Sequence, residues 1–220
     1  RQLSFEASIG KDSPVLAPVF AAAASEQCSV VIGFQERVGG TLFCTILFIG
    51  PDGKSLGTQR KLIPTQAERL VWGRGDGSDM SVYETPVGRL GALNCFEHQM
   101  APARLALCSL DIQVHAALWP GHAFLNPIVD ASMRHLAHEN ACYVVVAREI
   151  MSPDHLPEGL PMSVASRGHW QTQGGSAIVA PGGAYLVDPV LDEETIITAE
   201  IDLANIAINT NKRCNIGAKM

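Results

Sequence analysis

Two short stretches of this chain concentrate side chains able to do covalent chemistry. The first is Gly91-Ala92-Leu93-Asn94-Cys95-Phe96-Glu97-His98, in which a cysteine follows an apolar run and precedes an acid and a histidine. The second runs Arg60-Lys61-Leu62-Ile63-Pro64-Thr65-Gln66-Ala67-Glu68-Arg69, followed by Trp72-Gly73-Arg74-Gly75-Asp76-Gly77-Ser78. A thiol becomes a nucleophile only where its surroundings favour the thiolate. Taken singly, a free cysteine packs as a small apolar residue and a charged loop is solvated surface. Any chemistry therefore depends on what brings the two stretches together.

The elements around them read as alternating strands and helices. An Ala-rich segment from Pro14 to Gln27 has helical spacing, and Ser29 to Phe34 is a short Val/Ile-rich run that reads as a buried strand. Val38-Gly39-Gly40 marks a turn into a strand from Thr41 to Ile49, and the two strands are expected to pair as a hairpin. Pro51-Asp52-Gly53 then turns the chain back. Gln59 to Gly77 is polar and punctuated by Pro and Gly, and reads as an ordered loop. Val82 to Thr85 and Leu90 to Asn94 flank a turn at Val87-Gly88-Arg89, and Pro102 to Leu107 is helical, so Cys95 falls where a strand gives way to a helix. Ile112 to Leu118, Asn126 to Asn140 and Tyr143 to Ala147 read as strand, helix and strand. Ser176 to Val179, Ala184 to Val187 and Thr195 to Ile201 are expected to form an antiparallel ending, with a short helix from Leu203. The order is that of one α/β layered domain over residues 1–220.

Composition excludes several classes. The 220 residues are 47% hydrophobic and 17% charged with a net charge of −6, and no Lys/Arg cluster offers a field for nucleic acid. The longest apolar runs are too short to cross a bilayer and no cleavable leader opens the chain, so it is read as cytoplasmic, with no membrane partner. Six cysteines (28, 44, 95, 108, 142 and 214) lie singly, without a C-x-x-C pair. The histidines outside the Cys95 stretch and the buried strand, His122, His135, His138, His155 and His169, form no ligand pattern, so neither metal nor cofactor is assigned. The sequence opens at Arg1 without a methionine and is read as a fragment.

Together, in this order, the motifs resemble the nitrilase branch of the carbon-nitrogen hydrolases. The matching pieces are Gly33-Phe34-Gln35-Glu36-Arg37 with Gly40-Thr41-Leu42, Arg60 to Thr65 with Glu68-Arg69, Gly75-Asp76-Gly77-Ser78, Cys95-Phe96-Glu97-His98, Val114-His115-Ala116-Ala117 with Trp119-Pro120, and Gly174-Gly175-Ser176. Cys-Phe-Glu-His and Trp119-Pro120 lean toward microbial aryl- or arylaceto-nitrilases and cyanide-degrading relatives. The resemblance implies a four-layer αββα sandwich, here without its first strand and helix, and a Glu-Lys-Cys catalytic set. Cys95 matches the nucleophile and Lys61 the lysine, whose cation would lower the thiol pKa and favour charge on the nitrile nitrogen. Glu68 matches a second glutamate near that pair and is carried over as an auxiliary acid/base or positioning group. Phe96, His98 and Trp119 are the substrate-binding candidates, with Phe96 standing where relatives usually have tryptophan.

The relatives' first glutamate belongs to an upstream Phe-Pro-Glu stretch that this sequence does not contain. Ser4-Phe5-Glu6-Ala7 is the one near match, but too few residues separate it from the strand at Val30, so Glu6 is not expected to be the base. The resemblance implies a nitrilase that forms a carboxylic acid and ammonia, working as a homo-oligomer. An amidase, a cyanide hydratase or dihydratase of the same superfamily, and a truncated inactive relative are the alternatives.

Overall fold

A computed structural model describes residues 2–152, 155 and 172–210. The chain divides into two compact units, Arg1–Leu110 and Asp111–Met220.

The first unit opens with α1 (Gln2–Glu6), a 3₁₀ turn at Pro14–Leu16 and α2 (Ala17–Ser25). Proline near the start of both later segments suits positions where no backbone donor is needed. Strands β1 (Val30–Val38), β2 (Thr41–Ile49) and β3 (Ser55–Arg60) form an antiparallel sheet in that order. The β1–β2 register pairs Val38 with Thr41, leaving Gly39-Gly40 as a two-residue turn in which Gly39 takes φ 57°. Such turns need left-handed backbone that glycine adopts without steric cost. Leu16 and Ala23 pack with Leu47 and Ile49 in a core that Val19, Phe20, Val30, Ile32 and Phe34 flank. Each large aliphatic side chain so buried contributes roughly 1.5–3 kcal/mol. A second hairpin, β4 (Tyr83–Thr85) and β5 (Gly88–Asn94), leads into a 3₁₀ turn at Cys95–Gln99 and then α3 (Ala101–Ser109). The buried Gln59 side chain on β3 donates to the Ala92 carbonyl on β5 at 3.1 Å, which fixes these strands to each other.

The second unit is a βαβ unit extended by antiparallel strands. β6 (Val114–Trp119) and β7 (Tyr143–Arg148) are parallel, with Val114 opposite Tyr143 and Trp119 opposite Arg148. α4 (Asn126–Asn140) joins them, starting with a proline in its first turn, burying Val129, Met133, Leu136 and Ala137, and ending at Ala141 in left-handed backbone (φ 47°). β9 (Thr172–Val179) pairs antiparallel with β7, with the short β8 (Ile150–Met151) and with β10 (Tyr185–Leu191), and α5 (Ala204–Thr210) follows.

Most expected elements are found, with two differences. β1 and β6 are shifted or lengthened, and β3 runs two residues into the segment read as loop. The stretch between Ala147 and Ser176, whose sequence is rich in Pro and Ser and is expected to be a loop, falls largely outside the described residues. Thr195–Ile201 is not a strand. Its β-branched residues give it the right propensity, but propensity without a neighbouring ladder does not make a sheet, and Ile196 stands 91% exposed.

Candidate active site

Lys61 follows the last residue of β3, and its main chain is held on both sides. Its N–H donates to the Cys44 carbonyl at 2.8 Å, and its own carbonyl accepts from the Gly75 N–H at 2.8 Å. A Cβ at position 75 would lie 2.6 Å from the Arg60 carbonyl oxygen, so only glycine lets the Gly73–Gly77 loop approach this closely. The neighbouring Arg60 is anchored by Glu36 through Nε at 2.7 Å and Nη2 at 3.1 Å, and stacks over Phe43 at 4.4 Å. Burial opposes ionisation of Glu36. Hydrogen bonds from Arg60 and Thr45, with the charges of Arg60 and Lys11, nevertheless keep its pKa below the usual carboxylate value.

The Lys61 side chain is buried at 1% exposure, and Nζ donates to Glu68 Oε2 at 2.7 Å. The same oxygen accepts from the Thr65 N–H, so Glu68 also caps the 3₁₀ turn Gln66–Leu70. One carboxylate thus serves as counter-ion to a buried ammonium and as the anchor of its own backbone.

Cys95 sits at a cusp. β5 ends at Asn94, and Cys95 takes φ 54°, a left-handed conformation uncommon for a residue with a side chain. The following 3₁₀ turn is capped by Glu97, whose Oε2 accepts from the Asn94 N–H and whose Oε1 accepts from the Leu62 N–H, both at 2.7 Å. Glu97, 1% exposed, therefore ties the cysteine turn to the residue after Lys61. Burial raises its pKa against these two amides. With both oxygens engaged by backbone, Glu97 is a clamp, whereas Glu68 takes the bonds from Lys61 and Thr65 on the single oxygen Oε2.

The electrostatics join the two stretches. Burial pushes the Cys95 thiol up to about 11, while the Lys61 charge and the Phe96 N–H pull it down and Glu68 and Glu97 add to the rise. A thiol so placed ionises where proton transfer to a base accompanies attack. Beside the cysteine turn, Ile63, Pro64, Thr65, Gln66, Arg69, Phe96, Gln99 and Met100 line a cavity of about 410 Å³.

The structure therefore pairs Lys61 with Glu68 and ties the Cys95 turn to Leu62, the residue after Lys61. Phe96 is half-buried in the cavity wall. His98 is 1% exposed, and its Nδ1 donates to the Cys95 carbonyl at 2.6 Å, supporting the cusp from behind. Trp119 ends β6 in the second unit, with its ring buried at 3% exposure. Glu6 is exposed on α1 and accepts from Gln2 at 2.9 Å. Among the described residues no group of three His, Cys, Asp or Glu is arranged to hold a metal, and no helix is long and apolar enough to cross a membrane. Sequence reasoning missed the part Cys44 plays. Its signal, a carbonyl and a sulfur facing residues 17 and 50 positions away, exists only in three dimensions.

Burial pulls the His98 pKa down to about 3, opposed by the Cys95 carbonyl and reinforced by the Arg104 and Lys61 charges. In the unfolded chain this ring takes a proton near 6.5; in the folded protein it does not until about 3. Its contribution to stability is therefore complete above 6.5 and is lost as pH falls toward 3, at about 1.4 kcal/mol per pH unit. In urea denaturation at pH 7, 6 and 5, the stability advantage of wild type over His98→Asn is expected to shrink with each step. An advantage that stays constant would show that His98 takes up its proton alike in the folded and unfolded states over this range.

The family description for carbon-nitrogen hydrolases matches residues 2–208. The chain is 37% identical over 213 residues to the bifunctional nitrilase/nitrile hydratase NIT4A of Lupinus angustifolius, covering 91% of this chain and 58% of that protein. It is 38% identical over 217 residues to the aliphatic nitrilase of Rhodococcus rhodochrous, covering 92% and 58%. The chain thus spans under two thirds of the length of these curated relatives. Among solved structures it resembles a CN-hydrolase superfamily protein of Xanthomonas campestris with an arsenic adduct in the active site (TM-score 0.77, 18% identity, 96% of this chain and 77% of that one). It also resembles Nit3 of Saccharomyces cerevisiae (TM-score 0.79, 16% identity, 98% and 74%). At these identities the solved structures establish a shared α/β fold.

Proposed function

Because the chain belongs to the carbon-nitrogen hydrolase family, with relatives in its nitrilase branch, we propose that it is a thiol hydrolase converting an organic nitrile to a carboxylic acid and ammonia. The observation that carries this reading is the buried Lys61 ammonium, held 2.7 Å from Glu68 and acting on the Cys95 thiol. Cys95 Sγ gives up its proton to a carboxylate and bonds to the nitrile carbon, and the carboxylate passes that proton to the nitrile nitrogen, giving a thioimidate. Lys61 stabilises the negative charge that develops on nitrogen. A water adds to the thioimidate carbon, the C–N bond breaks and ammonia leaves, giving a thioester. A second water then breaks the C–S bond, releasing the acid and returning the proton to sulfur. Glu68 is the residue of this set we assign to proton handling or positioning.

The cavity of about 410 Å³ that Phe96 helps to line has room for an organic substituent, which favours a carbon-substituted nitrile over cyanide itself. Phe96 is the wall residue nearest the nucleophile in sequence. The same reading takes residues 1–220 as one catalytic domain working as a homo-oligomer, both carried by the family resemblance, and assigns it to the cytoplasm.

Ammonia release from an aryl- or alkyl-nitrile, measured beside its matched amide and beside cyanide, tests the reading. The organic nitrile is expected to be turned over fastest. A faster amide would make the protein an amidase, and a faster cyanide would make it a cyanide-degrading enzyme.

A further inference from the structure

Cys44 lies on β2, outside both reactive stretches, yet it touches each of them. Its carbonyl accepts from the Lys61 N–H at 2.8 Å. Its sulfur accepts from Asn94 Nδ2 at 3.0 Å, and Asn94 is the residue immediately before Cys95. The Asn94 N–H is meanwhile held by Glu97, so the asparagine is fixed through both its main chain and its side chain. One residue of the central strand therefore carries the lysine on its backbone and the nucleophile's neighbour on its side chain.

We propose that Cys44 is a positioning residue, setting the separation between Lys61 and the Cys95 cusp through its bond to Asn94. The proposal rests on Lys61 and Cys95 being the reacting pair. The charges acting on Cys44 are those acting on Cys95: Lys61, Glu68 and Glu97. Burial pushes the Cys44 thiol up to about 12, so it stays neutral and leaves the Lys61 charge to the nucleophile. A serine could accept the same hydrogen bond without charge, whereas an alanine could not.

The test uses the full protein and two readouts. One is nitrile turnover; the other is the pH profile of Cys95 alkylation by iodoacetamide, with the modified cysteine identified by peptide mass. Cys44→Ala is expected to lower kcat about ten-fold or more with KM within about two-fold, and to move the alkylation profile to higher pH. Cys44→Ser should restore most of both. Asn94→Ala should reproduce the alanine phenotype from the other side of the bond, and the double variant should be no worse than either single one. Should Cys44→Ala fail to fold, Asn94→Ala and Cys44→Ser carry the comparison. Wild-type behaviour of either alanine variant, additive losses in the double variant, or no rescue by serine would overturn the proposal. If wild type turns over no nitrile, a shifted alkylation profile still supports the positioning role while the functional reading fails.

Discussion

Cys95→Ala is expected to abolish ammonia release, by on the order of 10⁴-fold or more, while the protein unfolds within about 1 kcal/mol of wild type. The loss of activity follows from removing the atom that forms the thioimidate; no other described cysteine shares its place at the cusp. The small change in stability follows from the backbone. Alanine meets the same left-handed penalty at φ 54° as cysteine does, and the residue loses only its sulfur. An ammonia assay with urea denaturation of the same preparation checks both halves. Turnover within about 100-fold of wild type would remove Cys95 from the mechanism.

The Lys61–Glu68 pair yields the second large effect, and its two members are expected to behave differently. Lys61→Met keeps the length of the side chain and leaves behind a carboxylate that is 29% exposed and still accepts from the Thr65 N–H, so water can take the place of the ammonium. The stability cost should be about 1 kcal/mol. Glu68→Ala instead strands an ammonium that is 1% exposed, at a cost of about 3 kcal/mol. Both variants should lose turnover, Lys61→Met by about 10³-fold. The Cys95 titration should separate them. Removing the Lys61 charge takes away what lowers the thiol pKa, so ionisation moves to higher pH. Removing Glu68 takes away a charge that raises it, so ionisation moves lower. Alkylation rates of Cys95 against pH read this directly, and shifts of the same sign in both variants would refute the proposed coupling.

Much of the scaffold could be read from the chain, and the reasons differ between elements. α4 is bounded as expected because Pro127 marks its first turn, its apolar residues recur on one face, and its last turn meets a left-handed residue. The hairpin at Gly39-Gly40 was equally legible, since a two-residue turn fixes the register of both strands. β3 was not: Ser-Leu-Gly-Thr-Gln-Arg carries no apolar alternation, and the strand exists because β2 offers it a ladder. Thr195–Ile201 fails for the complementary reason, having strand-forming side chains and no ladder. In the site, Cys95, Lys61 and Glu68 could be named because their motifs, weak singly, together resemble those of a known family. Glu97 could be read as fixing the turn, but its clamp onto Leu62 is visible only once distant segments meet. Cys44 carried no local mark at all.

The left-handed residue at the end of β5 has a cost that outlasts any single turnover. Holding a side chain there stores roughly 1 kcal/mol or more of conformational energy that glycine would release. The position most needed for reaction is thus one where the folded chain is under tension. A descendant with glycine at this position would shed that tension and gain durability as it lost its chemistry, so inactive forms of this protein need not be fragile ones.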